Sequence, residues 1–190
     1  MTDQGSLEAV AERWLASLQQ DLKDFVHVVC DDLELDDELR TLAIGAVLYG
    51  LIPGDVVPDS QGVLGYFDDA LALRVALLEI RDKAPDRWER FADRVPELCD
   101  TLGDDLTVFS DALGDVWEPF RDRVRASASL EFKGKKASDL LDADGAAWLE
   151  DEVSELALKL GFKEPAIAAA ARKATSVIPL FRQKLSPQRR

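Results

Sequence analysis

Apolar residues recur along most of this chain at intervals of three and four positions, with charged residues between them. In the first such segment the apolar positions are Leu7, Val10, Ala11, Trp14, Leu18, Leu22, Phe25, Val26 and Val29. This spacing gives an α-helix one apolar face, because a helix completes a turn in about 3.6 residues. Ser6 precedes the segment and belongs to the residue types that cap helix N-termini. No stretch shows the apolar and polar alternation of a β-strand, so the sequence predicts an all-α protein.

The pattern predicts a multi-helix bundle of about seven helices. The second helix is expected from the Asp36 and Asp37 cap to about Gly50, the third from Asp68 or Asp69 to about Lys83, the fourth from Pro85, the fifth from Asp104 or Asp105, and two more over about 146–160 and 165–185. The second helix is apolar on nearly all sides, which predicts a central position. Arg74 and Glu79 are expected on the wetter face of the third. Pro96 is expected to kink or break the fourth helix, and the fifth is expected to bend near Gly114 and Pro119.

Between the second and third helices lies a segment rich in proline, glycine and aspartate. Pro53 and Pro58 fix φ and remove amide donors, which predicts an extended path from Ile52 to Pro58. Glycines 54, 62 and 65 can supply positive φ or close backbone approach. The apolar residues of the segment, Val56, Val57, Val63 and Leu64, favour packing over a core. The sequence therefore predicts an ordered loop that joins two antiparallel helices.

Two motifs flank this loop: Pro53-x-Asp55 with Pro58-Asp59, and Val63-Leu64-Gly65-Tyr66-x-Asp68-Asp69. They resemble the signature of the YkvA-like family of small bacterial domains of unknown function, over about residues 39–82. The stretch between them departs from that pattern, because Ser60-Gln61-Gly62 stands where the family usually has another proline and bulkier apolar residues. The resemblance implies a helix, an ordered loop and a helix. It implies no reaction, cofactor or catalytic residue.

The four aspartates of this segment allow two interpretations. Asp55, Asp59, Asp68 and Asp69 can converge on Mg²⁺ or Ca²⁺, because hard cations bind carboxylate oxygens. Alternatively, Asp68 or Asp69 caps the third helix while Asp55 and Asp59 accept hydrogen bonds from turn amides. The second interpretation requires no cofactor and is the favoured one.

Charge is unevenly distributed along the chain. The net charge is −14, yet the last 32 residues contain eight Lys or Arg and one acid, which gives them +7 and leaves −21 on the remaining 158. The acidic total argues against general nucleic-acid binding. The basic C-terminal helix has an apolar face formed by Ile167, Ala171, Ala174, Ile178, Phe181 and Leu185. It is expected to dock on the acidic body, and peripheral contact with an anionic membrane is the alternative.

Other features favour a structural interpretation. His27 has no ligand-type neighbour at metal-binding spacing, and Cys30 and Cys99 are expected as free thiols rather than a disulfide. The four tryptophans are expected in the core. No nucleotide-binding glycine loop, HExxH or GxSxG motif occurs in the sequence.

These observations predict a single cytoplasmic domain over residues 1–190, with a helix-loop-helix core at about 39–82 and a C-terminal helical extension at about 137–190. No segment is long and apolar enough for a transmembrane helix. The predicted function is a non-catalytic interaction or scaffold module that binds a protein partner or itself. The alternatives are a divalent-metal-dependent enzyme or metal sensor that uses the four aspartates, and a peripheral membrane protein.

Overall fold

In a computed structural model, residues 6–31, 35–53 and 56–186 are described, and they are predominantly helical. The α-helices in this part of the chain are α1 (Leu7–Asp31), α2 (Asp37–Leu51), α3 (Phe67–Lys83), α4 (Pro85–Arg94), α5 (Pro96–Cys99), α6 (Leu102–Leu113), α7 (Trp117–Ala126), α8 (Ala143–Lys159), α9 (Glu164–Ala171) and α10 (Ile178–Leu185). Short 3-10 segments connect several of them, including Asp59–Tyr66 before α3. The predicted all-α bundle is confirmed.

The predicted start signals of the first two helices are confirmed by hydrogen bonds. Ser6 Oγ accepts from the Ala9 amide at 3.2 Å. Asp36 Oδ1 accepts from the Leu39 amide at 2.9 Å. These bonds satisfy amides that have no acceptor within their own helix.

Three predicted helices are divided in the structure. The fourth ends before Pro96 and resumes as α5, as the proline predicted. The fifth is interrupted at Gly114, whose φ of 59° is left-handed. The last predicted helix is split into α9 and α10 by a 3-10 segment, Ala174–Val177, and α10 begins with Ile178 and Pro179. Pro179 suits a new first turn because it has no amide to donate.

Residues 131–138 contain a hairpin that the sequence did not reveal. Strands β1 (Glu131–Phe132) and β2 (Lys135–Lys136) pair in antiparallel fashion. Lys133 and Gly134 form the turn with φ of 49° and 80°. Two-residue strands are too short to show a readable alternation, which is why the sequence pattern missed them.

Helices α2 and α3 form the centre of the molecule. Tyr49 near the end of α2 bonds Asp68 at the start of α3, and Lys83 at the end of α3 bonds Glu38 at the start of α2. The two helices are therefore antiparallel, as predicted. Residues on all sides of α2 are buried, which confirms its central position. Trp14 is buried in the same core, whereas Trp88, Trp117 and Trp148 are half-buried against it.

The C-terminal segment is docked on the rest of the protein through its apolar residues. Ile167, Val177 and Phe181 are buried. The Phe181 ring lies against Phe120 of α7, with 5.2 Å between ring centroids. The sequence analysis predicted that this segment docks, but it expected a single continuous helix instead of α9 and α10.

Within the described residues, none of the helices has both the length and the apolar composition that crossing a bilayer requires. Cys30 and Cys99 are free thiols, as predicted.

Candidate functional site

The carboxyl group of Asp68 holds the loop against α2 and α3. Its Oδ2 accepts three hydrogen bonds: from the Val56 amide at 2.7 Å, the Val57 amide at 3.2 Å and the Tyr49 hydroxyl at 2.9 Å. The side chain is fully buried. One interpretation expected Asp68 or Asp69 to cap α3, but α3 has no side-chain cap hydrogen bond. Asp68 binds amides of the preceding loop and joins the loop to both helices.

The burial of Asp68 changes its acidity. Burial raises the pKa of this carboxyl from 3.8 to about 6, although the bonds from Tyr49, Val57 and Val56 oppose the rise. Its second oxygen, Oδ1, is buried and has no hydrogen-bond partner among the described residues. An unpartnered buried oxygen disfavours the charged form, because it has lost its bonds to water.

Glycine permits the path of the loop after Pro58. A Cβ atom on Gly65 would lie 2.8 Å from Asp59 Cα and 2.9 Å from the Pro58 carbonyl oxygen, so the backbone approaches too closely for a side chain. Gly62 has φ of 66°, in the left-handed region. Both glycines fulfil their predicted roles, and Gly54 lies outside the described residues.

The remaining aspartates of the proposed metal site differ in their surroundings. Asp59 is exposed, and its side chain accepts no hydrogen bond from a described residue. Because the amides of Gly54 and Asp55 lie outside the described residues, the expectation that Asp59 accepts a turn amide stays a prediction. Asp69 is buried. Burial raises the pKa of the Tyr66 hydroxyl, and the charges of Asp59 and Asp69 raise it further, which places both carboxylates near this tyrosine. Asp55 lies outside the described residues.

The described residues contain no group of three or more His, Cys, Asp or Glu side chains positioned to hold a metal ion. Because Asp55 is not among them, the metal site formed by all four aspartates stays a prediction.

Comparisons with known proteins find one family for part of this region. A family model for a protein of unknown function, DUF1232, matches residues 39–74. The matched segment covers α2, the loop and the first half of α3. This part of the chain is similar to that family. The match lies within the 39–82 segment that carries the YkvA-like resemblance, and a YkvA-like membership stays a prediction. No curated protein matches the chain, and no solved structure does.

A second group of polar side chains, which the sequence did not single out, lies between α1, α3 and α6. Arg74 Nη2 donates to Asp21 Oδ2 at 2.7 Å, and both side chains are 4% exposed. Ser17 donates to the same oxygen at 2.6 Å. The Arg74 guanidinium also lies over the Trp14 ring, 4.6 Å from its centroid. The expectation that Arg74 is on a wet face is therefore wrong.

Asp105 extends this group towards the start of α6. It accepts from the Trp14 indole at 3.0 Å, from Thr101 Oγ1 at 2.9 Å and from the Arg13 guanidinium. Burial lowers the pKa of Arg74, while the charges of Asp21 and Asp105 oppose that change. The sequence held one signal for this group, because Asp21 falls three positions after Leu18 and four before Phe25, on the apolar face of α1.

Several members of this group line a cleft of about 410 Å³, although Asp21 and Asp105 do not. Its lining includes Arg13 and Ser17 of α1, Arg74 of α3, Glu97 and Leu98 of α5, and Thr101. The cleft combines apolar walls with charged groups, which is typical of small-molecule sites.

Glu79 forms a separate ionic cluster with α7. Its Oε1 accepts from Arg121 Nη2 at 2.6 Å and from Arg125 Nη2 at 2.8 Å. Burial by itself raises the pKa of Glu79, but the bonds from Arg125 and Arg121 outweigh it and leave the pKa lowered. Glu79 is 3% exposed, so its expected position on a wet face is wrong. The cluster fixes α7 to α3.

The cations of the C-terminal segment are arranged differently. The five Lys and Arg side chains of residues 163–186 are exposed and form no ion pair with any described acid: Lys163, Arg172, Lys173, Arg182 and Lys184. We call this set the basic C-terminal face. His27 is also exposed, on α1.

Proposed function

We propose that this chain is a non-catalytic interaction module that binds an acidic protein segment through the basic C-terminal face. The observation that carries the proposal is the contrast between this face and three arginines of α3 and α7. Arg74, Arg121 and Arg125 are paired with acids, whereas the five cations of the face form no ion pair with an acid in the described part of the chain.

Burial of the apolar side of the same segment favours a protein partner over a membrane. A membrane-bound amphipathic helix inserts its apolar face among the lipids. Here Ile167, Val177 and Phe181 are buried in the protein, so insertion would require the segment to undock. An acidic protein surface requires only the exposed cations, which also steer the encounter by long-range attraction.

Charge reversal tests the proposal. The probe is a short fluorescent polyglutamate peptide, and its binding is followed by fluorescence anisotropy at low and physiological salt. The Lys173→Glu/Arg182→Glu variant is expected to lose most of the binding. Lys23→Glu/Arg87→Glu is the matched control, since it changes the net charge equally on other helices and breaks only an exposed ion pair of little strength.

Three outcomes decide the question. Equal loss of binding in both variants would show a dependence on net charge alone and would contradict the proposal. Absence of peptide binding by the unmodified protein would also contradict it. Tight sedimentation with phosphatidylserine vesicles, without peptide binding, would favour the peripheral-membrane alternative.

A further inference from the structure

The cleft beside Arg74 contains donors that the protein itself does not use. A guanidinium carries five N–H donors. Arg74 donates to Asp21 and to the Ala70 carbonyl oxygen, and it makes no other hydrogen bond with the described residues. Its side chain is 4% exposed and lines the cleft. Bulk water therefore has little access to the Arg74 guanidinium.

The ionic group is costly for the fold, which makes a purely structural role an incomplete explanation. Each buried ion loses several kcal/mol of hydration, and apolar residues of similar volume often replace buried pairs without loss of stability. Arg13, Arg74, Asp21 and Asp105 carry no net charge together. A ligand with one charge of each sign would leave this balance unchanged.

The α5 part of the lining supplies a group for a positive charge. Glu97 is exposed, lines the cleft, and has no hydrogen bond or ion pair with a described residue. Leu98 and Leu102 give the cleft an apolar part. The Thr101 hydroxyl donates to Asp105, so it presents an acceptor to the cleft.

We propose that the cleft binds an α-amino acid, whose carboxylate accepts hydrogen bonds from Arg74 and Arg13 and whose ammonium group pairs with Glu97. Guanidinium groups bind carboxylates in a two-point geometry that a single ammonium group does not offer. The volume of about 410 Å³ is at the lower end of the range of about 300–1,000 Å³ for small-molecule sites. Leu98 and Leu102 favour an apolar side chain. This site is independent of the basic C-terminal face.

Calorimetric titration of the full chain with leucine and the other common amino acids, one at a time, tests the proposal. At least one amino acid with an apolar side chain is expected to bind with a stoichiometry of one. Its 2-hydroxy analogue lacks the ammonium group, and its decarboxylated amine lacks the carboxylate. Each analogue is expected to bind about tenfold more weakly or worse, because each loses a charge-assisted hydrogen bond.

Substitutions locate the ligand within the cleft. Glu97→Gln should weaken binding of the amino acid about tenfold and leave binding of the 2-hydroxy analogue unchanged. Glu89→Gln, at an exposed position on α4, is the matched control and should change neither. Arg74→Lys keeps the charge but loses the two-point geometry, and its circular dichroism spectrum reports whether the fold is retained.

The chemical shift of the Trp14 indole N–H gives a second readout, which reports where the amino acid binds and not how tightly. The Trp14 indole donates to Asp105 at 3.0 Å and lines the cleft, so its N–H resonance should shift when the amino acid binds. The resonance is assigned by its loss in Trp14→Phe. Failure of every amino acid to bind, or binding that Glu97→Gln leaves unchanged, would overturn the proposal. Equal binding of inorganic phosphate would replace it with a general anion site.

Discussion

The carboxyl group of Asp68 is buried in the folded protein, and burial raises its pKa from 3.8 to about 6. Between these two pH values the folded state holds a proton that the unfolded chain has released. The contribution of Asp68 to the free energy of unfolding therefore falls as pH rises through this window, and it stays low above pH 6. The amides of Val56 and Val57 donate hydrogen bonds to the ionised carboxylate, so they offset part of the free-energy cost of ionising Asp68 in the folded protein.

Asp68→Asn isolates this effect because asparagine has the same size and does not titrate. From about pH 4 to pH 7, the stability of the unmodified protein relative to Asp68→Asn is expected to fall by on the order of 3 kcal/mol. Denaturant unfolding at a series of pH values measures the difference. Asp59→Asn is the matched control, since it makes the same substitution at an exposed aspartate of the same region. A flat difference for Asp68→Asn would contradict the assigned acidity.

The metal hypothesis gives a separate prediction for the other aspartates. If Asp55 and Asp69 bind a cation with their neighbours, millimolar Ca²⁺, Mg²⁺ or Mn²⁺ should raise the melting temperature, because a ligand of the folded state stabilises it by mass action. Asp55→Ala/Asp69→Ala should abolish the rise. Asp86→Ala/Asp93→Ala removes equal charge from exposed positions on α4 and should preserve it. A melting temperature that no metal changes would leave the aspartates with structural roles alone.

Individual roles were only partly predictable from the sequence. It was predictable that one of the four aspartates would accept hydrogen bonds from the loop backbone, because prolines and turn amides lie close to them in the chain. Its identity was not, because the accepting carboxylate comes from α3 rather than from the loop. Arg74 and Glu79 were misplaced because charged residues in an apolar helix look solvent-facing, whereas their partners Asp21 and Arg121 lie on other helices.

At the scale of elements, the 3-10 segment Asp59–Tyr66 depends on the close approach at Gly65. Gly65→Ala would bring a Cβ within 2.8 Å of Asp59 Cα, which is backbone and cannot rotate away. We expect a loss of about 1–3 kcal/mol in the free energy of unfolding. Gly161→Ala is the control, because a Cβ there meets nothing within 4 Å. Comparable losses from the two substitutions, measured by urea unfolding, would argue against the close approach.

The boundaries of elements followed from local chemistry wherever a local signal existed. Ser6 and Asp36 began their helices as predicted, because a cap is decided within four residues. Pro96 and Gly114 marked breaks for equally local reasons. The division between α9 and α10 is an exception, because Pro179 marks the first turn of α10 but the apolar residues of Ala174–Val177 keep a helical spacing that masked this signal.

For the whole molecule, the sequence predicted the fold class and the docking of the basic segment, but not how that segment docks. Opposite charge was the stated motive, since the last 32 residues carry +7 and the remainder −21. The contacts are apolar instead, and the basic C-terminal face stays exposed, with no ion pair to an acid among the described residues. Exposed ion pairs contribute little stability in water, whereas a buried phenylalanine contributes several kcal/mol. Physical magnitudes thus favour the arrangement that the structure adopts.

The organisation as one domain remains a proposal, and the cooperativity of unfolding tests it. The buried apolar residues of α1, α2, α3 and α6–α10 form one continuous core cluster. If this core unfolds as a unit, far-UV circular dichroism and tryptophan fluorescence should report the same transition. Phe181→Ala should then shift the entire transition and cost about 3–5 kcal/mol, because Phe181 is fully buried against Phe120.

The matched control for this substitution is Leu158→Ala. Leu158 is 83% exposed on α8, so its truncation should change the midpoint very little. If residues 137–186 were instead a separate unit, Phe181→Ala would shift an early transition and leave a second one in place. Because Trp148 lies on α8 and Trp14 on α1, their fluorescence would follow different transitions in that case. Coincident curves in both variants would support one core that includes the C-terminal segment.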